Sequence, residues 1–567
     1  MSVIDWIVLA TFLIFIVVYG TWKSRGSKDI KNYLLANKSA PWYTMALSIM
    51  ATQASAITFL STPGQAFVDG MRFVQFYLGL PIAMIILSIT AVPIFHRLNV
   101  YTAYEYLEQR FDLKNRILSS LLFLTQRGLA AGFTIFAPAL IISVLLGWNI
   151  NLTIFAIGIL VIIYTAVGGT IAVNKTHMQQ MVVISFGMIM AFVMIYRLLP
   201  DDISVIDAAH VAGKMGRLNV IDFNFDLSTR YNIWSGLIGG TFLMLSYFGT
   251  DQSQVQRYLS GSSIAQSRMA LLVNAFVKIP MQFIILFIGA MVFVFYQFIT
   301  PPIFFNPVEE ANVKKSIFAD QYKILEIKYD EIHKRKQTQI RDLLKAIHQD
   351  NKTIISEQKR ELKRINDQAK EIRKEGITLI EQANPSSDTN DTNYIFLNFV
   401  ISFLPVGLIG LVLAAILSAS MSSTSAELNA LASTTVIDLY KRIFKKTASE
   451  RHYLLILKLA TVFWGIYAIG FALFANKLGS LVEAVNILGS LFYGTILGIF
   501  LVAFYIKWVK GTPTFIAAIL AEIVVIFCFF FTEMPFLWFN FIGCVLVIIM
   551  AIFINPIFIR TQSKKTS

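Results

Sequence analysis

Cysteine is nearly absent from this chain. The two that occur, Cys528 and Cys544, lie in the last two apolar stretches, which argues against a disulfide framework. Histidine is also scarce, with six residues and none at metal-ligand spacing, so a zinc enzyme is not indicated. Charge is thin, 14% of residues against 56% hydrophobic. No nucleophile–base or metal constellation falls within the apolar stretches, which disfavours a membrane enzyme. No basic residue precedes the first apolar stretch, and lysine and arginine follow it in place of a small-residue cleavage site. It therefore reads as a span rather than a signal peptide.

What the chain has is apolar runs of membrane-crossing length from end to end. Thirteen spans are expected, near 3–22, 42–66, 71–95, 117–147, 152–168, 177–199, 232–250, 268–299, 395–424, 452–475, 479–506, 512–531 and 535–555. The net charge of +14 would suit a nucleic-acid partner, but the basic residues fall in alternate short loops. Examples are Lys23 to Lys38, His96 to Arg116, Lys441 to Arg451, Lys507 with Lys510, and Arg560 to Lys565. Basic loops mark the cytoplasmic side. The expectation is thus a plasma or inner membrane protein with its N-terminus outside and C-terminus inside, partnered by lipid and not by nucleic acid.

The stretch Phe403 to Tyr440 organises the rest. It begins apolar and then packs six hydroxyls into eight residues: Ser418, Ser420, Ser422, Ser423, Thr424 and Ser425. Hydroxyls beside freed backbone carbonyls suit a hard cation such as sodium. They could also bond back to their own helix and pack against neighbours. Trp42 to Phe67 is too polar for a plain lipid-facing helix, carrying Thr52, Gln53, Ser55, Thr58, Ser61, Thr62 and then Pro63-Gly64. Span seven is weakened by Gly236, Gly239, Gly240 and Gly249, and Asp251, Gln252 and Gln254 follow. Spans two and seven are five apart, so a pair of interrupted helices there predicts an inverted repeat with a midplane site. Arg127, Asp251 and Lys278 fall in or near spans, where charges face a cavity or a partner. Asp251 as a loop cap and Lys278 reaching the interface are the structural alternatives.

From Glu309 to Ala383 charged and amide residues dominate, without proline. Leu362, Ile365, Ala369 and Ile372 repeat at helical spacing, which predicts a helical hairpin turning near Gln349-Asp350-Asn351. Topology places it outside, as a solvated spacer or as a surface for an unknown partner. The expected organisation is a first helix and basic loop (1–41), a core in two parts (42–300 and 395–506), the charged insertion (301–394), and two final spans (507–567).

Several stretches together resemble the sodium:solute symporter family. SIMATQASAITFLSTPGQAF is similar to its first core helix, FAPAL to part of the third, and YTAVGGTIAV to the segment entering the fifth. GTDQSQVQRYL is similar to the end of the sixth, and SASMSSTSAELN to the eighth. The resemblance implies an all-α polytopic membrane protein with a LeuT-type five-plus-five inverted repeat and two broken helices, working by alternating access. It implies a sodium site made by the carbonyls of Ala51, Ala54 and Ala419 and the hydroxyls of Ser422 and Ser423. Substrate contacts would come from Thr58, Tyr77, Lys278 and Asn486, half of the pattern of sugar-transporting members, with Asp251 and Gln252 close by. His177 and Ala426 stand where a second sodium site would need other side chains, so one sodium per substrate is expected. Arg127 could pair with an acidic substrate or with Asp251. The resulting expectation is a sodium-coupled importer of a small polar solute. A sugar or polyol is favoured, and an organic anion such as sialic acid or a monocarboxylate is the alternative. A receptor using the hairpin is the competing class.

Overall fold

The computed structural model describes residues 1–24, 38, 40–98, 100–385, 387–475 and 479–563. For 17, 20–24, 167–178 and 559–563 it describes the backbone alone. His177, most of the first basic loop and the basic C-terminal tail therefore lie outside the described side chains.

The described residues form helices, with one isolated strand bridge between Ala40 and Gly261. In a bilayer each backbone N–H and C=O must be satisfied internally, and helices do this within one segment. Nine described helices are long and apolar enough to span a membrane, and one bent pair adds a broken span. The helices used below are α1 (Val3–Ser24), α2 (Trp42–Gln53), α3 (Ala56–Asp69), α4 (Leu113–Leu146), α5 (Ile150–Leu198), α6 (Gly240–Gly249), α7 (Gln252–Leu259) and α8 (Ile264–Phe298). The chain continues through α9 (Ala319–His348), α10 (Lys352–Ala383), α11 (Leu408–Thr434), α12 (Glu450–Ala475), α13 (Leu481–Tyr505), α14 (Gly511–Phe531) and α15 (Leu537–Ser563).

Both expected helix breaks are present. Between α2 and α3, Ala54 (φ −89°, ψ 66°) and Ser55 (φ −82°, ψ 177°) leave the helical region, and the two halves meet at 59°. Among the described residues no hydrogen bond is recorded to the carbonyls of Ala51 or Ala54, as expected where a hydrogen-bond ladder is interrupted. Between α6 and α7, Thr250 and Asp251 break the chain, and the Asp251 side chain caps α7 at Ser253.

Three span boundaries differ from expectation. Spans five and six are joined as the single 49-residue α5, with no proline between them to end it. Its two apolar ends pack on different neighbours: Gly158 lies against Ile469 of α12, and Gly187 against Val412 of α11. Span nine starts at 408 and not at 395. Ile395–Phe403 is a separate helix, followed by Pro405, which lacks an N–H, and by Gly407 at φ +87°. Asp5 of α1 then caps α11, accepting from Gly407 N at 2.7 Å and Gly410 N at 3.2 Å. Span eight begins at Ile264, slightly before the expected 268, and Lys278 lies well inside the helix.

The insertion is the expected hairpin. α9 and α10 meet at 349–351, where Asp350 takes φ 48° and Asn351 caps α10 at Ile354. Aspartate tolerates this left-handed conformation. Leu362 and Ile365 are buried, while Ala369 and Ile372 are half-buried. The hairpin is docked to the rest of the chain at several points. Gln337 donates to Phe298 O at 2.7 Å, His348 meets Asp207 at 2.7 Å, Arg341 meets Asp202 at 3.1 Å, and Arg373 pairs with Asp391.

Candidate functional site: a central cavity between broken helices

The two broken helices and their neighbours enclose a central cavity of about 110 Å³. Five residues expected to contact substrate line it: Thr58 from α3, Tyr77, Arg127 from α4, Lys278 from α8 and Asn486 from α13. Asp251 and Gln252 do not. Asp251 turns toward Arg127, and Gln252 is taken up by Ala103 N at 3.1 Å and Tyr101 O at 2.8 Å, both needed to satisfy a buried amide.

Arg127 is 3% exposed and fully committed. Its Nε donates to Asp251 at 3.1 Å, Nη1 to Glu427 at 3.0 Å, and Nη2 to Tyr493 at 2.6 Å, with a further Nη2–Asp251 contact. Thr134 donates to the other Glu427 oxygen at 3.1 Å, and Tyr493 donates to Asp251 at 2.8 Å. One guanidinium thus bridges two carboxylates and fixes three helices relative to one another. Glu427, Tyr247 and Tyr493 escaped the sequence reading. An acid on the otherwise apolar and hydroxylated α11 was the available signal for Glu427.

Lys278 differs from Arg127. It is 1% exposed and lines the cavity, and no carboxylate among the described residues lies within ion-pair distance. Its Nζ sits 5.8 Å from the Tyr77 ring centre, a cation–π contact. The network therefore pairs one cation with two carboxylates and leaves the second cation facing the cavity.

The residues of the expected sodium site lie on α2, the break and α11, and α2 packs against α11. All five are buried. Several hydroxyls of the cluster do ordinary helix work. Ser418 donates to Ala414 O at 2.7 Å, Ser420 to Thr134 O at 2.8 Å, and Thr424 to Ser420 O at 2.8 Å. Ser423 donates to Ser420 O at 3.0 Å, and Ser422 to Gln180 Oε1 at 2.9 Å, while Gln180 Nε2 holds Ser418 O at 3.3 Å. A hydroxyl that donates its proton still has lone pairs to offer a cation. Gln180, which sequence reading missed, thus orients Ser422. Ser425 Oγ is buried and has no hydrogen-bond partner among the described residues.

Comparison with known proteins agrees with this architecture. The chain is 32% identical over 273 residues to the human sodium/iodide cotransporter, covering 48% of this chain and 42% of that one. It is 32% identical over 286 residues to sodium-coupled monocarboxylate transporter 1 of Xenopus laevis, covering 48% and 44%. These matches span under half of either relative. The sodium/sialic acid symporter NanT of Aliivibrio fischeri matches along nearly its whole length, 25% identical over 561 residues, 98% of this chain and 93% of that one. A solved Na⁺-coupled sialic acid symporter in a substrate-bound outward-open state superposes with a TM-score of 0.73 at 22% identity, covering 98% of both chains. It shares the LeuT-like fold. The sequence profile of a family of secondary transporters matches residues 33–317 and 379–521, passing over most of the hairpin, and by that match the chain belongs to the sodium:solute symporter family.

Proposed function

We propose that this protein is a sodium-coupled symporter that imports a small organic anion, with Lys278 holding the acid group. The observation that carries this reading is the asymmetry of the two cavity cations. Arg127 is spent on Asp251 and Glu427, whereas Lys278 is buried with an aromatic ring and, among the described residues, no carboxylate within ion-pair distance. A buried ammonium is costly without a counter-charge, and a substrate carboxylate would supply one. Arg127 then serves as a structural tie and not as the anchor. The relatives named above for iodide, monocarboxylates and sialic acid all take anionic solutes. A cavity of about 110 Å³ lies below the roughly 300–1,000 Å³ of pockets for drug-sized ligands, which favours a short acid in this conformation.

Sodium would bind between the carbonyls of Ala51, Ala54 and Ala419 and the hydroxyls of Ser422 and Ser423. Bound there, it would tie α2 to α11 and favour the substrate-ready state; release to the other side would loosen them. Basic-loop topology puts the N-terminus and the hairpin outside. A second reading, a neutral sugar or polyol, draws on the uncharged polar lining from Gln53, Thr58 and Asn486.

The test is uptake into proteoliposomes with and without an inward sodium gradient, offering a short monocarboxylate, its neutral amide and a neutral sugar. Sodium-driven uptake of the acid and not of the amide is expected. Sodium-driven uptake of the sugar alone would overturn the anion reading in favour of the second.

A further inference from the structure

We propose that the cavity enclosed between the hairpin and the adjoining end of the membrane domain is a separate binding site for a sulfate- or phosphate-type oxyanion. It measures about 630 Å³ and is bounded by α9, α10, the segment 214–217, and the ends of α3 and α8. It shares no lining residue with the central cavity.

Seven lysines and arginines line it against a single carboxylate, Asp367. Asp367 pairs with Lys370 at 3.5 Å, and Arg373 pairs with Asp391 outside the cavity. The rest, Arg217 and Lys336 among them, have no carboxylate within ion-pair distance among the described residues. Arg217 and Lys336 also share one ring. The guanidinium carbon lies 4.4 Å from the centre of Phe293, and Lys336 Nζ lies 6.0 Å from it. Lys336 is 9% exposed. Two cations brought together out of water repel and are poorly solvated unless an anion joins them. Further donors on the same lining are buried and, among the described residues, without a hydrogen-bond partner: Arg217 Nε, Arg373 Nε and His333 Nε2. Burial, with the Lys336 charge adding to it, pushes His333 down to about 4, so it is neutral near pH 7 and one ring nitrogen can donate.

The position gives such an anion a mechanical consequence. Phe67 and Val68, at the end of the broken helix's second half, form part of the wall, and Arg217 donates to Val68 O. An anion bridging Lys336 and Arg217 would fasten the hairpin to that helix end.

Burial, then Arg217 and Lys370, push Lys336 down to about 7. The groups facing it are Arg217 from the 214–217 segment, Lys370 and Asp367 from α10, His333 from its own helix, and the Phe293 ring from α8. The anion binds the charged ammonium, so affinity should rise as pH falls through about 7.

Purified full-length protein would be followed by thermal unfolding against potassium sulfate, with potassium chloride at equal ionic strength as control. Sulfate keeps its charge across this pH range. Saturable stabilisation by sulfate alone is expected. Its half-saturation should rise about tenfold or more in Arg217→Gln/Lys336→Gln, a loss of about 1.4 kcal/mol or more of binding free energy. Lys359→Gln/Lys363→Gln, at the exposed rim, should shift it in the same direction without touching the packing. The same titration in phosphatidylcholine nanodiscs with and without phosphatidylglycerol separates the sources. A response unchanged by phosphatidylglycerol identifies a free anion. Stabilisation by phosphatidylglycerol that replaces the sulfate effect, and is lost in the variants, identifies a lipid headgroup. Sulfate acting no differently from chloride in either disc, or acting equally on wild type and both variants, would overturn the proposal.

Discussion

Replacing Lys278 with glutamine removes a cavity cation that has no carboxylate within ion-pair distance among the described residues, and keeps a polar side chain of similar reach. At about 4 Å and an effective dielectric near 20, an ammonium and a carboxylate attract by about 4 kcal/mol. Both groups lose hydration to meet, so the net value of such a charged hydrogen bond is about 1.5–3 kcal/mol. At about 1.4 kcal/mol per decade, Lys278→Gln should raise the half-saturating concentration of an acidic substrate roughly ten- to hundredfold. The assay is initial uptake into proteoliposomes at saturating sodium, comparing wild type, Lys278→Gln and Lys278→Arg. Sodium activation should change little, because Lys278 is on α8 and the proposed sodium ligands are on α2 and α11. Lys278→Arg should recover part of the loss. A half-saturation unchanged in Lys278→Gln, or an equal loss for the acid and its neutral amide, would refute the assignment of Lys278 as the charge anchor.

Four further outcomes are expected. Ser423→Ala should raise the sodium concentration for half-activation and leave substrate half-saturation at high sodium nearly intact; unchanged sodium activation would count against the site. Gln180→Leu frees the Ser422 hydroxyl, held at 2.9 Å, and should weaken sodium activation in the same direction but by less. Asp251→Ala removes contacts of Arg127 and Tyr493 and the cap of α7 while Glu427 still pairs Arg127, so it should destabilise the protein by about 1–3 kcal/mol, read as a lower unfolding temperature in detergent. Tighter binding of acids in that variant would instead make Arg127 the anchor. Gly289→Ala would set a Cβ 2.3 Å from Pro63 O, so α8 and α3 could not keep their approach, and the yield of monodisperse protein should fall.

Much of this molecule is written locally. Apolar length alone marks membrane-crossing helices, because a bilayer demands a continuous internally bonded segment about 30 Å long. The breaks at Ala54–Ser55 and Thr250–Asp251 were legible because polar and glycine residues interrupt otherwise apolar runs. The hairpin and its turn at 349–351 followed from helical spacing and a turn-forming Asp-Asn pair. Other features depend on which helices meet. Whether Arg127 faces substrate or Asp251 is a contact between residues 124 apart in sequence, and Glu427, from a third helix, decides it. Gln180 acquires a role because α5 lies against α11. The docking of the hairpin and its cationic cavity arise from the way α9, α10 and the ends of α3 and α8 come together. Local hydrogen bonding and hydropathy are set by neighbours along the chain, so the sequence by itself determined the helices, their interruptions and the kind of chemistry available. Charge pairing acts between elements distant in sequence, so only the tertiary structure decided that Arg127 is paired and that Lys278 faces the cavity with no carboxylate within ion-pair distance among the described residues.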